Sequence, residues 1–152
     1  MILSQENIFL NVKETDKDDI LHLIAQKSQL CGLTDDVDGI YQAFVDRESE
    51  FSTGLPDGFA IPHAKTDAAK KVGILYFRLT QPVDWQSLDD ELVTDLFALI
   101  VPNENAGKDH LQMISSLATA LLDQKFKKSL RELQDPKKLT DLINKNMEVT
   151  KS

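Results

Sequence analysis

A three-layer α/β domain is the fold this sequence predicts: a mixed, mostly parallel sheet of about five strands, flanked by helices on both faces. Three observations carry the expectation. Residues 72–79 (VGILYFRL) and 92–101 (LVTDLFALIV) are apolar on both faces over most of their length, the pattern of strands covered on two sides. Amphipathic helical stretches precede and follow them, supplying both covering layers. Not every crossover between strands contains a helix, so the sheet is mixed.

The elements follow in chain order. Ile8–Val12 reads as a short strand. Thr15-Asp16-Lys17-Asp18 then offers a helix N-cap with an acid three residues on. From Ile20 the apolar positions Leu23, Ile24 and Cys31 recur near helical spacing, and Gly32 ends the helix. Thr34 caps a second helix with Val37, Ile40, Tyr41 and Phe44 on its inner face. Between Glu48 and Lys65 the periodicity breaks. Leu55-Pro56-Asp57-Gly58 is turn chemistry, Phe59-Ala60-Ile61 is a brief apolar strand, and Pro62 terminates its ladder. Pro82 and Pro102 stop the two long strands. Residues 103–110 (NENAGKDH) lead into a long helix with Leu111, Ile114, Leu117, Ala118 and Leu121 inward. Two more helical pieces follow. One lies around residues 126–133; the other starts at the favourable Asp135-Pro136 pair and carries Leu139, Leu142 and Ile143. No repeat, low-complexity tract or linker divides the 152 residues, so 1–152 reads as a single domain.

Bulk properties exclude several function classes. A net charge of −8 and a pI near 4.8 argue against nucleic acid, whose phosphates demand a basic face. The same acidity suits solubility and would steer a basic protein partner. No apolar run approaches the roughly 18 to 20 residues needed for direct membrane insertion. The first residues lack a basic region followed by an uninterrupted apolar stretch, so they do not form a signal peptide. The single Cys31 can form neither an intramolecular disulfide nor a cysteine zinc cluster, and a cytoplasmic location is the simplest expectation.

Chemistry-bearing residues gather in the irregular middle of the chain. Of three histidines, His22 falls within an amphipathic helix and reads as a surface or boundary residue. His63 directly follows a short strand, behind a proline that restricts Ile61 to extended geometry, so its imidazole is expected at a strand's carboxyl end. Small and hydroxylated residues surround it in sequence, Ser52 and Thr53 among them. His110 is expected in the first turn of the long helix, where unpaired N–H groups and partial positive charge suit phosphate. Arg47, at the end of the second helix, carries a guanidinium fork that matches phosphate oxygens. An imidazole is a competent nucleophile at neutral pH, and a second imidazole and an arginine can stabilise charged phosphoryl oxygens. Each residue also has a plainer reading: Arg47 as a surface cation, His110 as a polar residue near a helix start, Ser52 and Thr53 as turn residues. Spacing does not show that His63, His110 and Arg47 meet. No HxH or HExxH pattern supports a metal, no GxxxxGK[ST] or GxGxxG loop supports a nucleotide, and no GxSxG elbow supports Ser-His-Asp chemistry.

At these residues the sequence resembles the fructose/mannitol family of phosphotransferase-system enzyme IIA domains. The carrying stretch is 47–65, with Arg47-Glu48, Thr53-Gly54, Gly58 and Ala60-Ile61-Pro62-His63-Ala64. Pro82-Val83-Asp84-Trp85, Val101-Pro102, and His110-Leu111 followed by Ser115-Ser116-Leu117-Ala118 resemble the later landmarks. Pro56 and Phe59 depart from the pattern, in the turn before the site. The resemblance implies that His63 is phosphorylated, with His110 as second active-site histidine, in a metal-free relay without cofactor. Phosphate would arrive from the phosphocarrier HPr and leave to a cysteine of a sugar-specific enzyme IIB, which serves the membrane enzyme IIC. Neither the IIB cysteine motif nor a IIC segment is present, so the chain is read as a free-standing IIA subunit or a fragment of a larger one. The VDW and AGKDHL segments look nearer the fructose branch. Phe51, Leu55 and Phe59 are the candidate apolar partner-binding residues, with Glu48, Glu50 and Asp57 as an acidic rim. Two other readings stand beside the transport one: a nitrogen-type regulatory relative, which shares the A-I-P-H core, and an unrelated metal-dependent hydrolase using His63 and His110.

Overall fold

The two long apolar runs form the centre of the sheet. In the computed structural model, which describes residues 3–50, 52–87, 89–103 and 108–147, with the side chains of 108–111 outside that description, they are strands β5 (Gly73–Val83) and β6 (Val93–Val101). These two pair antiparallel, Tyr76 opposite Phe97 and Leu75 opposite Ala98. Strand β1 (Ile8–Val12) adds parallel to β5, and the short strands β3 (Phe59–Ala60) and β4 (His63–Lys65) both add parallel to β6. Strand β2 (Gly54–Leu55) closes the far edge, antiparallel to β3. The order is β1-β5-β6-β3-β2 in a six-stranded sheet, β4 extending the line of β3 along β6. Three of the five pairings are parallel, which is the mixed, mostly parallel arrangement expected.

Alternation along the central strands assigns the two covering layers. Leu75, Phe77, Leu79, Leu96, Ala98 and Ile100 meet helices α1 (Lys17–Leu30) and α2 (Val37–Glu50) through Ile20, Ile24, Ile40 and Phe44. Ile74, Tyr76, Phe97 and Leu99 face the other way. They meet α3 (Lys108–Ala120), α4 (Gln124–Glu132) and α5 (Pro136–Met147) through Leu117, Phe126, Leu130, Leu139 and Ile143. Burying each such side chain contributes roughly 1.5–3 kcal/mol, so both helix layers are held by apolar burial on the sheet.

Several details differ from the sequence expectation. Helix α1 is capped as read, with the Asp16 carboxylate accepting from Asp19 N. Helix α2 is capped by Asp36, which accepts from Gly39 N at 3.0 Å. Thr34 instead accepts from Asp36 N at 2.9 Å and donates to Ala68 O at 2.6 Å, tying down the turn before the helix. Pro82 does not stop β5; the strand reaches Val83 across a register irregularity between Arg78 and Val83, where a missing N–H leaves no regular ladder bond unmade. Pro62 breaks the ladder of β3, which ends at Ala60, but the Pro62 carbonyl still accepts from Leu99 N at 2.9 Å and β4 resumes beyond it. In α3, Leu117, Ala120 and Leu121 are buried while Ala118 is exposed, as the spacing i, i+3, i+4 requires.

Candidate functional site

His63 opens β4, opposite Leu99, two residues before the strand reaches Lys65 and before β6 ends at Val101. It therefore stands near the carboxyl end of the interrupted β3–β4 line, as the sequence predicts. Ala64, its neighbour, is buried in the core under α1 and α2, which anchors the backbone, while His63 itself is half-buried. Its Nδ1 atom is buried.

An open cleft of about 610 Å³ lies beside it. Helix α2 contributes Gly39, Gln42, Asp46, Arg47 and Glu50; the segment from His63 to Asp67 and the end of β6 form the opposite wall. Arg47, half-buried in the last turn of α2, and His63 thus share one cleft. This juxtaposition of a guanidinium with an imidazole suits a multiply charged anion. His110 lies in the first turn of α3 as expected, but its side chain falls outside the described residues. Phe51 also lies outside them.

Six further residues have other placements than expected. Thr53 is 6% exposed, and its hydroxyl donates to the Glu48 carboxylate while accepting from Trp85 Nε1 at 3.2 Å. Ser52 donates to Trp85 O at 2.9 Å. Neither lines the cleft, so their hydroxyls hold the chain segment and do not face a bound anion there. Phe59 is fully buried, stacked toward Phe97 and lying beneath the Arg131 guanidinium, and so offers no surface to a partner. Leu55 is half-buried against the α3–α5 core. Of the expected acidic rim, Glu48 is turned inward onto Lys17 at 2.9 Å and only Glu50 lines the cleft. Asp57 is drawn to Lys127 and Gln124 of α4, and the Lys127 hydrogen bond holds its carboxyl below the usual carboxylate range.

Sequence reasoning did not find the buried circuit behind the cleft. Trp85, fully buried, is held by Thr53 at its indole nitrogen, and by Ser52 and Lys17 at its carbonyl. Gly54 follows from the same packing: a Cβ there would meet Ser87 Oγ at 2.0 Å and Ser87 Cβ at 2.8 Å. Gly54→Ala is expected to force the two segments apart and lower stability by about 1–3 kcal/mol, measurable by urea denaturation. The available signal was Trp85 itself, since a lone tryptophan beside a turn needs a partner for its N–H.

A mixed sheet between two helix layers, with a cleft that brings an imidazole and a guanidinium together at a strand end, defines an α/β domain with an anion-suited site. Comparison with known proteins narrows the class. Residues 1–146 match the family model of the phosphoenolpyruvate-dependent sugar phosphotransferase system, EIIA 2, and the chain belongs to that family. It is 31% identical over 138 residues to the fructose-specific EIIA component of Haloferax volcanii, covering 91% of this chain and 89% of that protein. It is also 31% identical over 145 residues to the fructose-specific EIIABC component of Bacillus subtilis, 95% of this chain but only 23% of that longer protein. Among solved structures, the nitrogen regulatory protein IIA-Ntr of Neisseria meningitidis superposes with a TM-score of 0.82 at 26% identity, over 93% of this chain and 96% of that one. Enzyme IIAMTL of Escherichia coli, solved in complex with phosphorylated IIBMTL, shares the fold, with a TM-score of 0.76 at 23% identity over 95% of this chain and 96% of that one. Membership of this family supports a phosphotransfer role for the chain. Among the described residues, no helix is long and apolar enough to cross a membrane.

Proposed function

We propose that residues 1–152 act as one IIA unit that accepts phosphate from phosphorylated HPr on His63 and passes it to a cysteine of a sugar-specific enzyme IIB, a fructose-type sugar being favoured. The observation that carries this reading is the shared cleft of His63 and Arg47 at the end of β4. Because Nδ1 is buried, Nε2 is the nitrogen that meets the incoming group. Neutral His63 attacks phosphorus through that lone pair. The N–P bond of the donor breaks, its electrons return to the donor imidazole, and a new N–P bond forms on His63. Arg47, together with His110, balances charge on the three phosphoryl oxygens during transfer. In the second half, a cysteine thiolate of IIB attacks the same phosphorus and regenerates neutral His63.

The experiment is a relay assay with radiolabelled phospho-HPr, the purified chain and a fructose-type IIB. Label should appear on this chain as acid-labile, base-stable phosphate and then move to IIB. Arg47→Ala and His110→Ala should each leave the fold intact and slow the transfer, with a loss of about 2.7–4 kcal/mol in transition-state stabilisation. Unchanged rates in both would remove the two residues from the site. The likeness to IIA-Ntr favours a second reading, in which the phosphorylation state governs binding to a regulated protein. That reading is supported if the chain takes phosphate but delivers none to any IIB, and if a pull-down recovers a kinase or a potassium transporter.

A further inference from the structure

Glu48 occupies the same helical turn as Arg47 and Glu50, which both line the cleft, yet Glu48 is turned away from it. Successive helix residues project about 100° apart, so a side chain next to a cleft-facing one can reach inward. Its carboxylate is 6% exposed, and both oxygens are engaged. Oε1 accepts from Lys17 Nζ at 2.9 Å and from Thr53 N at 3.2 Å, while Oε2 accepts from the Thr53 hydroxyl. Both donors are fixed in turn by Trp85: Thr53 Oγ1 accepts its indole N–H at 3.2 Å, and Lys17 donates to its carbonyl at 3.3 Å. Nearby, Ser49 donates to Asp46 O and Gln42 to the Asp46 carboxylate, both exposed and local bonds. The last turn of a helix lacks partners for its carbonyls and frays unless something attaches it. Glu48 attaches this turn to the buried Lys17-Thr53-Trp85 circuit.

We propose that Glu48 is a positioning residue for Arg47. Clamped by Lys17 and Thr53 against Trp85, it fixes the rotation of the final turn of α2 and so aims the Arg47 guanidinium at the phosphoryl group on His63. The inference rests on the phosphocarrier reading above. It assigns to the Arg47-Glu48 and Thr53-Gly54 pairs one joint role: Arg47 meets the anion, and the others hold the turn that carries it.

The test is single-turnover transfer from radiolabelled phospho-HPr to wild type, Glu48→Gln, Arg47→Ala and the double variant, with thermal melting of each. Glu48→Gln removes the charge that holds Lys17 while keeping an acceptor for Thr53 N. Its maximal transfer rate should fall about tenfold with the half-saturating HPr concentration within about twofold of wild type. In the Arg47→Ala background the same change should cost less than about twofold, because the group it aims is gone. A purely structural Glu48 predicts something else: a lower melting temperature with an unchanged maximal rate, or equal slowing in both backgrounds. Either result overturns the proposal. If Glu48→Gln does not fold, Thr53→Val, which deletes the hydroxyl that meets both Glu48 and Trp85, decides in the same cycle. Wild type that takes no phosphate on His63 would instead refute the phosphocarrier reading, and this inference with it.

Discussion

A His63→Ala protein is expected to take no phosphate from phosphorylated HPr, a loss on the order of 10⁶-fold that places labelling below detection. The size of the effect follows from the site's composition. Among the histidines with described side chains, His63 is the one that lines the cleft. His22 is on the surface of α1, with its ring stacked 3.7 Å from that of Tyr41 and its Nε2 3.6 Å from Asp18, and cannot substitute. A guanidinium offers no nucleophilic lone pair, so what remains after the substitution is a cleft with a cation but no group that can bond to phosphorus. The fold should survive, because His63 is half-buried at the rim while its backbone keeps the β4 ladder to Leu99. Melting within about 1 kcal/mol of wild type, together with absent label, is the expected pair of results. Label retained at wild-type stoichiometry would place the acceptor elsewhere, with His110 as the next residue to replace.

How much of this was legible in the sequence varied with the physics at each place. The two-sided apolar runs gave β5 and β6 because burial on both faces leaves no polar period to misread. The helical periods gave α1, α2, α4 and α5 for the same kind of reason, each pattern being local, although Asp36 and not Thr34 caps α2. His63 was found because a proline and a short strand are also local signals. What escaped was everything that depends on segments distant in sequence. Pro82 reads as a stop, since a proline's missing N–H is visible in sequence but the register irregularity that absorbs it is not. Ser52 and Thr53 were read toward phosphate because hydroxyls near a histidine suit it, whereas their partner Trp85 lies more than thirty residues away. Phe59 was offered to a partner surface, though its place between Phe97 and Arg131 is set by β6 and α4.

Asp95 is the clearest case of a signal that was present and passed over, and it carries the second large prediction. An acid inside the run LVTDLFALIV reads as a defect in an apolar strand; in the fold it is 1% exposed and surrounded by donors. Arg131 Nε at 3.2 Å and Thr94 Oγ1 at 2.6 Å meet Oδ1, while Arg78 Nε at 3.7 Å and the donating Tyr76 hydroxyl meet Oδ2. Burial and the Asp95 charge push the Tyr76 phenol well above its ordinary pKa, keeping it a donor. Each arginine then reaches onward. Arg78 donates to the carbonyls of Leu130 and Leu133, both at 2.6 Å, and so closes the end of α4. Arg131 donates to Asp57 O in the turn before β3, where Asp57 sits at a φ of 66°. One carboxylate therefore joins β5, β6, α4 and the 56–58 turn. Asp95→Asn retains the shape but removes the buried charge that Arg78 and Arg131 share, leaving Arg131 with the Asp57 carboxylate nearby. Removing one partner of a buried ion pair costs about 3–5 kcal/mol, and that loss should appear in urea denaturation. Because Phe59 pairs with Asp95 and His63 with Leu99, the damage lies four residues along β6 from the cleft. Phosphate acceptance per folded molecule should then stay near wild type while the folded fraction drops. A stability change under 1 kcal/mol would show that Asp95 is not the hub; a collapse of transfer in fully folded protein would show that the hub also shapes the cleft.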